Sequence, residues 1–216
     1  MSGPFVIALD GPAAAGKSSV GLGAARALGF GYFDTGLLYR ALTWLALQRK
    51  VAPTDAEGLT QLVEELDLDV DPVGRVYRAG QDITDQLHAP QVNAAVSAVS
   101  AHAGVREAMR PQQRALVRPP GLVMAGRDIG TVIVPDAPLK IWLNASAEER
   151  ARRRAAQTGE PFSRVLAAVQ ARDRFDASRE VAPMARADDA IALDTDSLPL
   201  ERVVAEVVRL ARERGA

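Results

Sequence analysis

The sequence predicts an α/β fold: a five-stranded parallel sheet with helices on both faces, carrying a small antiparallel insertion and a lid. Three observations predict it. Short continuous apolar runs alternate with helix-length segments, the pattern of buried parallel strands joined by covering helices. The first run, Phe5–Asp10, leads into Gly11–Ser18, which fits the phosphate-cradling template of Gly, four residues, Gly, Lys, then Ser or Thr. Finally, 216 residues with 48% hydrophobic content suffice for one core with an insertion, giving a single domain over 1–216.

Composition also excludes functions. With no cysteine there is no disulfide framework, thiolate metal site or cysteine nucleophile. A formal net charge of −1 gives no global attraction to nucleic acid or to an anionic membrane. The longest apolar runs are strand-sized and no charged segment leads into an apolar signal core, so a cytoplasmic monomer is expected.

Each element has its own warrant. After the first strand and loop, Ser19–Leu28 suits a helix closed by Gly29. Phe30–Asp34 reads as the second strand, followed by a helix from about Leu37 to Gln48. From about 51 to 92 the alternation is interrupted by an insertion. It holds a short helix over Leu59–Leu66, strands ending at Val70 and spanning Arg75–Arg78 around a turn at Asp71–Gly74, and a third strand at Gln81–Thr84. A long helical stretch from about Gln91 to Arg118 follows, in which Pro111 is expected to make a kink or a division. Leu122–Ala125 and Leu139–Leu143 are further buried strands. Ser146 to Glu149 is a capping box opening a helix rich in arginine, and Gln157–Phe162 supplies a hinge in a lid over about 150–163. A helix from Ser163 to about Ala177, a fifth strand at Ala190–Asp194 and a closing helix complete the chain. That last helix is expected to bury Leu200, Val203, Val204, Val207 and Leu210.

The chemistry collects at the carboxyl ends of the strands. Gly11 and Gly16 let backbone amides turn toward an anion, and Pro12, Ala13, Ala14 and Ala15 complete the loop, with Ala14 expected to keep an ordinary backbone angle. Lys17 can reach the outer phosphates of a nucleoside triphosphate. The Ser18 hydroxyl stands where a magnesium ion would be ligated, with Ser19 beside it. Asp34, Thr35 and Arg40 follow the second strand, where they either face the ligand or, for Asp34 and Thr35, cap the next helix. There is no guanine-reading Asn-Lys-x-Asp segment. Phosphoryl transfer must exclude water and neutralise spreading charge, and Arg40, Arg127, Arg150, Arg153 and Arg154 meet that demand as mobile arginines.

The motifs in order are Gly11–Ser18, Asp34–Arg40, Ser97, Val105–Glu107, Gly126–Val132, Pro135–Pro138, Ser146–Arg150, and Arg172, Asp173, Asp176 and Arg179 followed by Val181–Pro183. Over nearly its whole length the chain resembles the bacterial cytidylate kinases, within the nucleoside monophosphate kinases of the P-loop type. Thr35 stands where that family often has serine. The resemblance implies magnesium-dependent transfer of the terminal phosphoryl of ATP to CMP or dCMP. It implies that Arg40 and Arg127 hold the acceptor phosphate, and that Ser97, Arg172 and Asp176 surround the sugar. It further implies that Thr35, Arg106, Asp128 and Arg179 read the base. A carboxylate at Asp128 suits the exocyclic amine of cytosine and opposes the carbonyl of uracil. Lys17, Arg127, Arg153 and Arg154 would act on the transferred group, with Arg150 on the donor nucleotide. A kinase of another small acceptor, such as shikimate or dephospho-coenzyme A, and a non-catalytic nucleotide-binding module are the alternatives.

Overall fold

The computed structural model describes residues 3–71, 74–196 and 198–216. In chain order its regular elements are β1 (Phe5–Asp10), α1 (Lys17–Leu28), β2 (Gly31–Asp34), α2 (Gly36–Arg49), α3 (Ala56–Glu64), β3 (Leu68–Val70), β4 (Val76–Arg78), β5 (Gln81–Asp82), α4 (Pro90–Val99), α5 (Ala103–Ala115), β6 (Gly121–Gly126), β7 (Leu139–Asn144), α6 (Ala147–Thr158), α7 (Phe162–Ala177), β8 (Ile191–Asp194) and α8 (Leu200–Glu213). The chain gathers into two compact units, residues 1–32 with 118–216, and residues 33–117.

The first unit is built on a five-stranded sheet of order β2-β6-β1-β7-β8, in which β1 pairs parallel with β6 and β7, and β7 with β8. β1 sits at its centre. Ile7 and Leu9 lie beside Val123 and Ala125 of β6 and Leu139 and Ile141 of β7, and all six belong to one core cluster. Period-two alternation puts these side chains on one face, where Val20 and Ala24 of α1 and Val203 and Val207 of α8 complete the core. The opposite face carries the equally buried Val6 and Ala8, and it ends in Asp10. α6 and α7 make a second, smaller core from Ala151, Val165 and Val169. Ser146 caps α6 as expected, its hydroxyl accepting the Glu149 amide at 3.2 Å. Gly159, at φ 71°, ends the helix in the left-handed conformation glycine tolerates.

α8 corrects the predicted stripe at its edge. Val203, Val207 and Leu210 are buried, but Leu200 is 43% exposed, and Val208 and Ala211 take up the inward face. Leu200 is the first residue of α8, at the end of the helix rather than within its packed length.

The second unit contains the antiparallel sheet β3-β4-β5, with Leu68 opposite Arg78 and Tyr77 opposite Asp82. The insertion expected at about 51–92 lies within this unit. The turn predicted at Asp71–Gly74 includes residues 72 and 73, which lie outside the described residues; around them the Gly74 amide donates to the Asp71 carbonyl at 2.9 Å. The third strand is shorter than expected, because the Asp82 side chain accepts the Thr84 amide and turns the chain after two residues.

Pro111 neither divides nor ends its helix. The break falls instead at residues 100–102, between α4 and α5, and Pro111 lies inside α5. One distant partner and one bond within the turn explain the position: the His102 ring nitrogen pairs with the Pro53 carbonyl at 2.8 Å, and the Arg106 guanidinium donates to the Ser100 carbonyl at 3.0 Å. These bonds hold the chain in a turn that helix propensity alone does not favour.

Candidate active site

The loop from Gly11 to Gly16 leaves the carboxyl end of β1 and delivers the chain into α1. A side chain at Gly11 would place its Cβ 2.3 Å from the Leu143 carbonyl oxygen on the neighbouring strand, so only glycine permits this approach. Gly16 is the N-cap of α1 at φ 89° and lends no side chain to the first-turn amides, and no acidic residue occupies that turn. The first-turn N–H groups therefore lack a side-chain cap, and no acid in that turn offsets the positive end of the helix, as anion binding requires. Ala14 departs from expectation: its φ is 60°, in the left-handed region. The loop geometry demands that angle, and alanine accepts a strain of roughly 1 kcal/mol to meet it. Lys17 is buried, and its ammonium donates to the Gly11 and Pro12 carbonyls at 2.8 and 2.7 Å, curled over the loop it would serve. Ser18 and Ser19 are exposed on the first turn.

β6 lies beside β1, with Gly126 in register with Asp10, so Arg127 and Asp128 emerge next to the phosphate loop. Asp128 is buried and precedes a five-residue π-type turn, Ile129–Ile133, a departure from α geometry found mostly at functional sites. The structure brings Arg127, Asp176 and Arg179 together. Arg127 Nε donates to Asp176 Oδ2 at 3.0 Å, and Arg179 pairs with Asp176 Oδ1. Asp176 is only 1% exposed, so its charge is held by two guanidiniums at once. Arg172 lies one turn before it on α7, partly buried.

The arginine run of α6 does not behave as one set of mobile side chains. Arg150 is buried, donating to the Ala145 carbonyl at 2.9 Å, to the Ala13 carbonyl of the phosphate loop at 3.1 Å and to Asp173 at 2.6 Å. It is a fixed brace, because α7 and the loop close over that side of α6. Arg153 is tied to the chain after β8, through the Thr195 carbonyl at 2.5 Å and the Thr195 hydroxyl at 3.2 Å, and to Glu149 at 3.0 Å. Arg154 is exposed.

In the second unit, Asp34 takes the capping role left open for it, and Thr35 does not. Asp34 Oδ1 accepts the Gly36 amide at 2.9 Å and so serves the first turn of α2, whereas Thr35, at the N-cap and buried, makes no side-chain cap bond. Arg40 donates to the Leu87 carbonyl at 3.0 Å and to Asn93 at 2.5 Å. Arg106 is buried over the Tyr39 ring, 5.3 Å from its centroid, and Gln113 donates to the Tyr39 hydroxyl at 3.5 Å. Ser97, on α4, is half-buried and uses its carbonyl to accept the Ser100 hydroxyl at 3.1 Å.

One residue escaped the sequence reading. Asp10 is 5% exposed, and its carboxylate accepts the Ile129 amide at 2.9 Å and the Gly130 amide at 2.8 Å. Burial lifts its pKa from 3.8 to about 6, against the lowering effect of those two bonds and of Lys17, with Asp128 adding to the rise. The signal was present: an acid closing an otherwise apolar strand directly before Gly11.

The family model for cytidylate kinase matches residues 7–213. A cytidylate kinase of Geobacillus sp. (strain WCH70) is 45% identical over 216 residues, covering 96% of each chain. A bifunctional pantoate ligase/cytidylate kinase of Synechococcus sp. (strain CC9902) is 43% identical over 98% of this chain and 46% of its own length, so the chain spans about half of that relative. A solved structure from Thermus thermophilus aligns over all of both chains with a TM-score of 0.50 at 20% identity, a likeness of fold. The phosphate loop, the Arg127–Asp128 segment beside it and the match over nearly the whole length agree: the chain belongs to the cytidylate kinase family.

Proposed function

We propose that the protein transfers the terminal phosphoryl group of ATP to CMP or dCMP, with magnesium. The observation that carries this reading is the adjacency of two strand ends: the phosphate loop follows Asp10, and Arg127 and Asp128 follow Gly126, its parallel partner. Donor-phosphate binding and an arginine–aspartate pair suited to a cytosine nucleotide thus leave one edge of one sheet. The relatives named cytidylate kinase support the same substrate class.

Lys17, the loop amides and the first turn of α1 bind the donor phosphates, the ammonium exchanging loop carbonyls for phosphate oxygens. Among the described residues no group of three histidine or acidic side chains could cage a metal ion. The exposed Ser18 hydroxyl fits magnesium, which takes few protein ligands and shares phosphate oxygens. When bound, magnesium supplies charge neutralisation between the phosphates. In the first unit Arg127 keeps Nε on Asp176 and serves the acceptor phosphate, Asp128 and Arg179 serve the base, and Arg172 and Asp176 the sugar. In the second unit, by the resemblance to the cytidylate kinases, Arg40 serves the acceptor phosphate, Thr35 and Arg106 the base, and Ser97 the sugar. Arg154, and Arg153 on release from Thr195, stabilise charge on the moving group.

A coupled assay with ATP and magnesium across AMP, CMP, dCMP, UMP and GMP tests the reading, with CMP and dCMP expected to be phosphorylated fastest. Lys17→Ala should lower kcat far more than it raises the KM for CMP, because its charge meets the transferring group. Absence of phosphorylation of any cytosine nucleotide overturns the proposal.

A further inference from the structure

Asp10 joins the parts of the site that Lys17 and Asp128 occupy. As the last residue of the central strand it is continuous with Gly11 and the phosphate loop. Both of its oxygens are spent on the backbone amides of Ile129 and Gly130, 119 and 120 residues away in sequence. Those amides immediately follow Arg127 and Asp128. A carboxylate accepting two amide bonds in a dry setting is a strong and directional fastening. The approach is close as well: a Cβ on Gly130 would lie 3.5 Å from Asp10 Oδ2 and 3.1 Å from the Lys140 side chain. The charged groups that act on Asp10 are Lys17 from α1 and Asp128 from the segment after β6, while the Lys140 ammonium of β7 is paired with Asp189 at 2.9 Å.

We propose that Asp10 is a positioning residue for phosphoryl transfer, fastening the Arg127–Asp128 segment at a set height beside the phosphate loop so that acceptor and donor phosphates meet in line. This deepens the reading above and rests on it. A buried charge retained in an otherwise apolar strand, against the desolvation that opposes it, is explained by that task. Asparagine cannot perform it. Its single carbonyl oxygen serves one amide, and its NH2 group faces the other N–H, donor against donor. The phosphate loop itself keeps its own anchors, Gly11 against Leu143 and Ala13 bound by Arg150, so the loss should fall on the acceptor side.

The test compares wild type, Asp10→Asn, Arg127→Ala and the double variant, measuring kcat and the KM for CMP and for ATP, together with amide exchange at Ile129 and Gly130. Asp10→Asn should lower kcat/KM for CMP about tenfold or more, leave the KM for ATP within about twofold and speed exchange at one or both amides. In the Arg127→Ala background the same substitution should cost much less, because the side chain it positions is gone. Equal loss toward both substrates, an unchanged KM for CMP with unchanged kcat, or full additivity overturns the inference and returns Asp10 to a purely structural part. If Asp10→Asn does not fold, exchange is read in the wild type. Protection at Ile129 and Gly130 comparable to β1 and increased by CMP supports the inference; exchange as fast as exposed loops, or insensitive to CMP, overturns it. A wild type that phosphorylates no cytosine nucleotide would instead sink the functional reading.

Discussion

Arg150 and Arg154 stand four residues apart on α6, yet the structure assigns them opposite energetics, and alanine at each position separates a brace from a mobile charge. Arg150→Ala removes a 2.6 Å pair with Asp173 and bonds of 2.9 and 3.1 Å to the Ala145 and Ala13 carbonyls. Breaking a buried pair costs about 3–5 kcal/mol, mostly from the charge left behind. The Asp173 side chain is 21% exposed, so water can recover part of that, and the expected loss is at the lower end, about 3 kcal/mol. For a chain of this size that lowers the thermal midpoint by roughly 6–12 °C. Circular dichroism melts read this directly, and turnover at saturating ATP and CMP reads the effect on the loop that Ala13 belongs to. Removing Asp173 as well should add little, since its partner is already absent. Arg154→Ala, at an exposed position, should leave stability within about 0.5 kcal/mol of wild type and lower kcat. An Arg150→Ala protein that melts like wild type but turns over slowly would refute the brace and return Arg150 to direct contact with nucleotide.

Asp128→Asn should lower kcat/KM for CMP and narrow the CMP-to-UMP preference by roughly ten- to a hundredfold, because asparagine can flip to serve a carbonyl where a carboxylate cannot; an unchanged ratio withdraws the base-reading role. Ala14→Gly should stabilise the protein by about 1 kcal/mol or less, since glycine adopts φ 60° without strain but gives up more unfolded-state freedom; urea titration decides it, and a clear loss of stability would contradict the left-handed angle. Because burial lifts the Asp10 pKa from 3.8 to about 6, between about pH 4 and pH 6 the folded chain holds a proton there that the unfolded chain releases, and above that range it is a carboxylate. The Asp10 contribution to stability therefore falls as pH rises from about 4 to about 6, by up to about 3 kcal/mol. Urea midpoints across that range should show a downward slope in wild type that Asp10→Asn lacks, and parallel slopes would refute the shift.

What the sequence alone determined was whatever depends on neighbours along the chain. The apolar run Phe5–Leu9 could only be a strand buried on both faces, Gly11 to Ser18 could only make its turn with glycine at the crowded position, and Ser146 and Gly29 marked helix ends through bonds spanning a few residues. Five parallel strands, the antiparallel insertion and the phosphate loop follow from such local and periodic signals. Tertiary structure decided what depends on which element lies across the gap. The run Arg150–Arg154 reads as a set of mobile arginines until α7 supplies Asp173 to the first arginine and the chain after β8 supplies Thr195 to another. The break at residues 100–102 follows from bonds to Pro53 and within the turn, where Pro111 offered the stronger local signal. Ala14 takes a left-handed angle because the loop must close between a strand and a helix already fixed in place. Asp10 acquires its partners from residues 119 and 120 positions further along the chain. Desolvation and hydrogen bonding act between groups that folding brings within 3 Å, and for a buried polar side chain that partner, far more than its sequence neighbours, decides whether it braces, binds or moves.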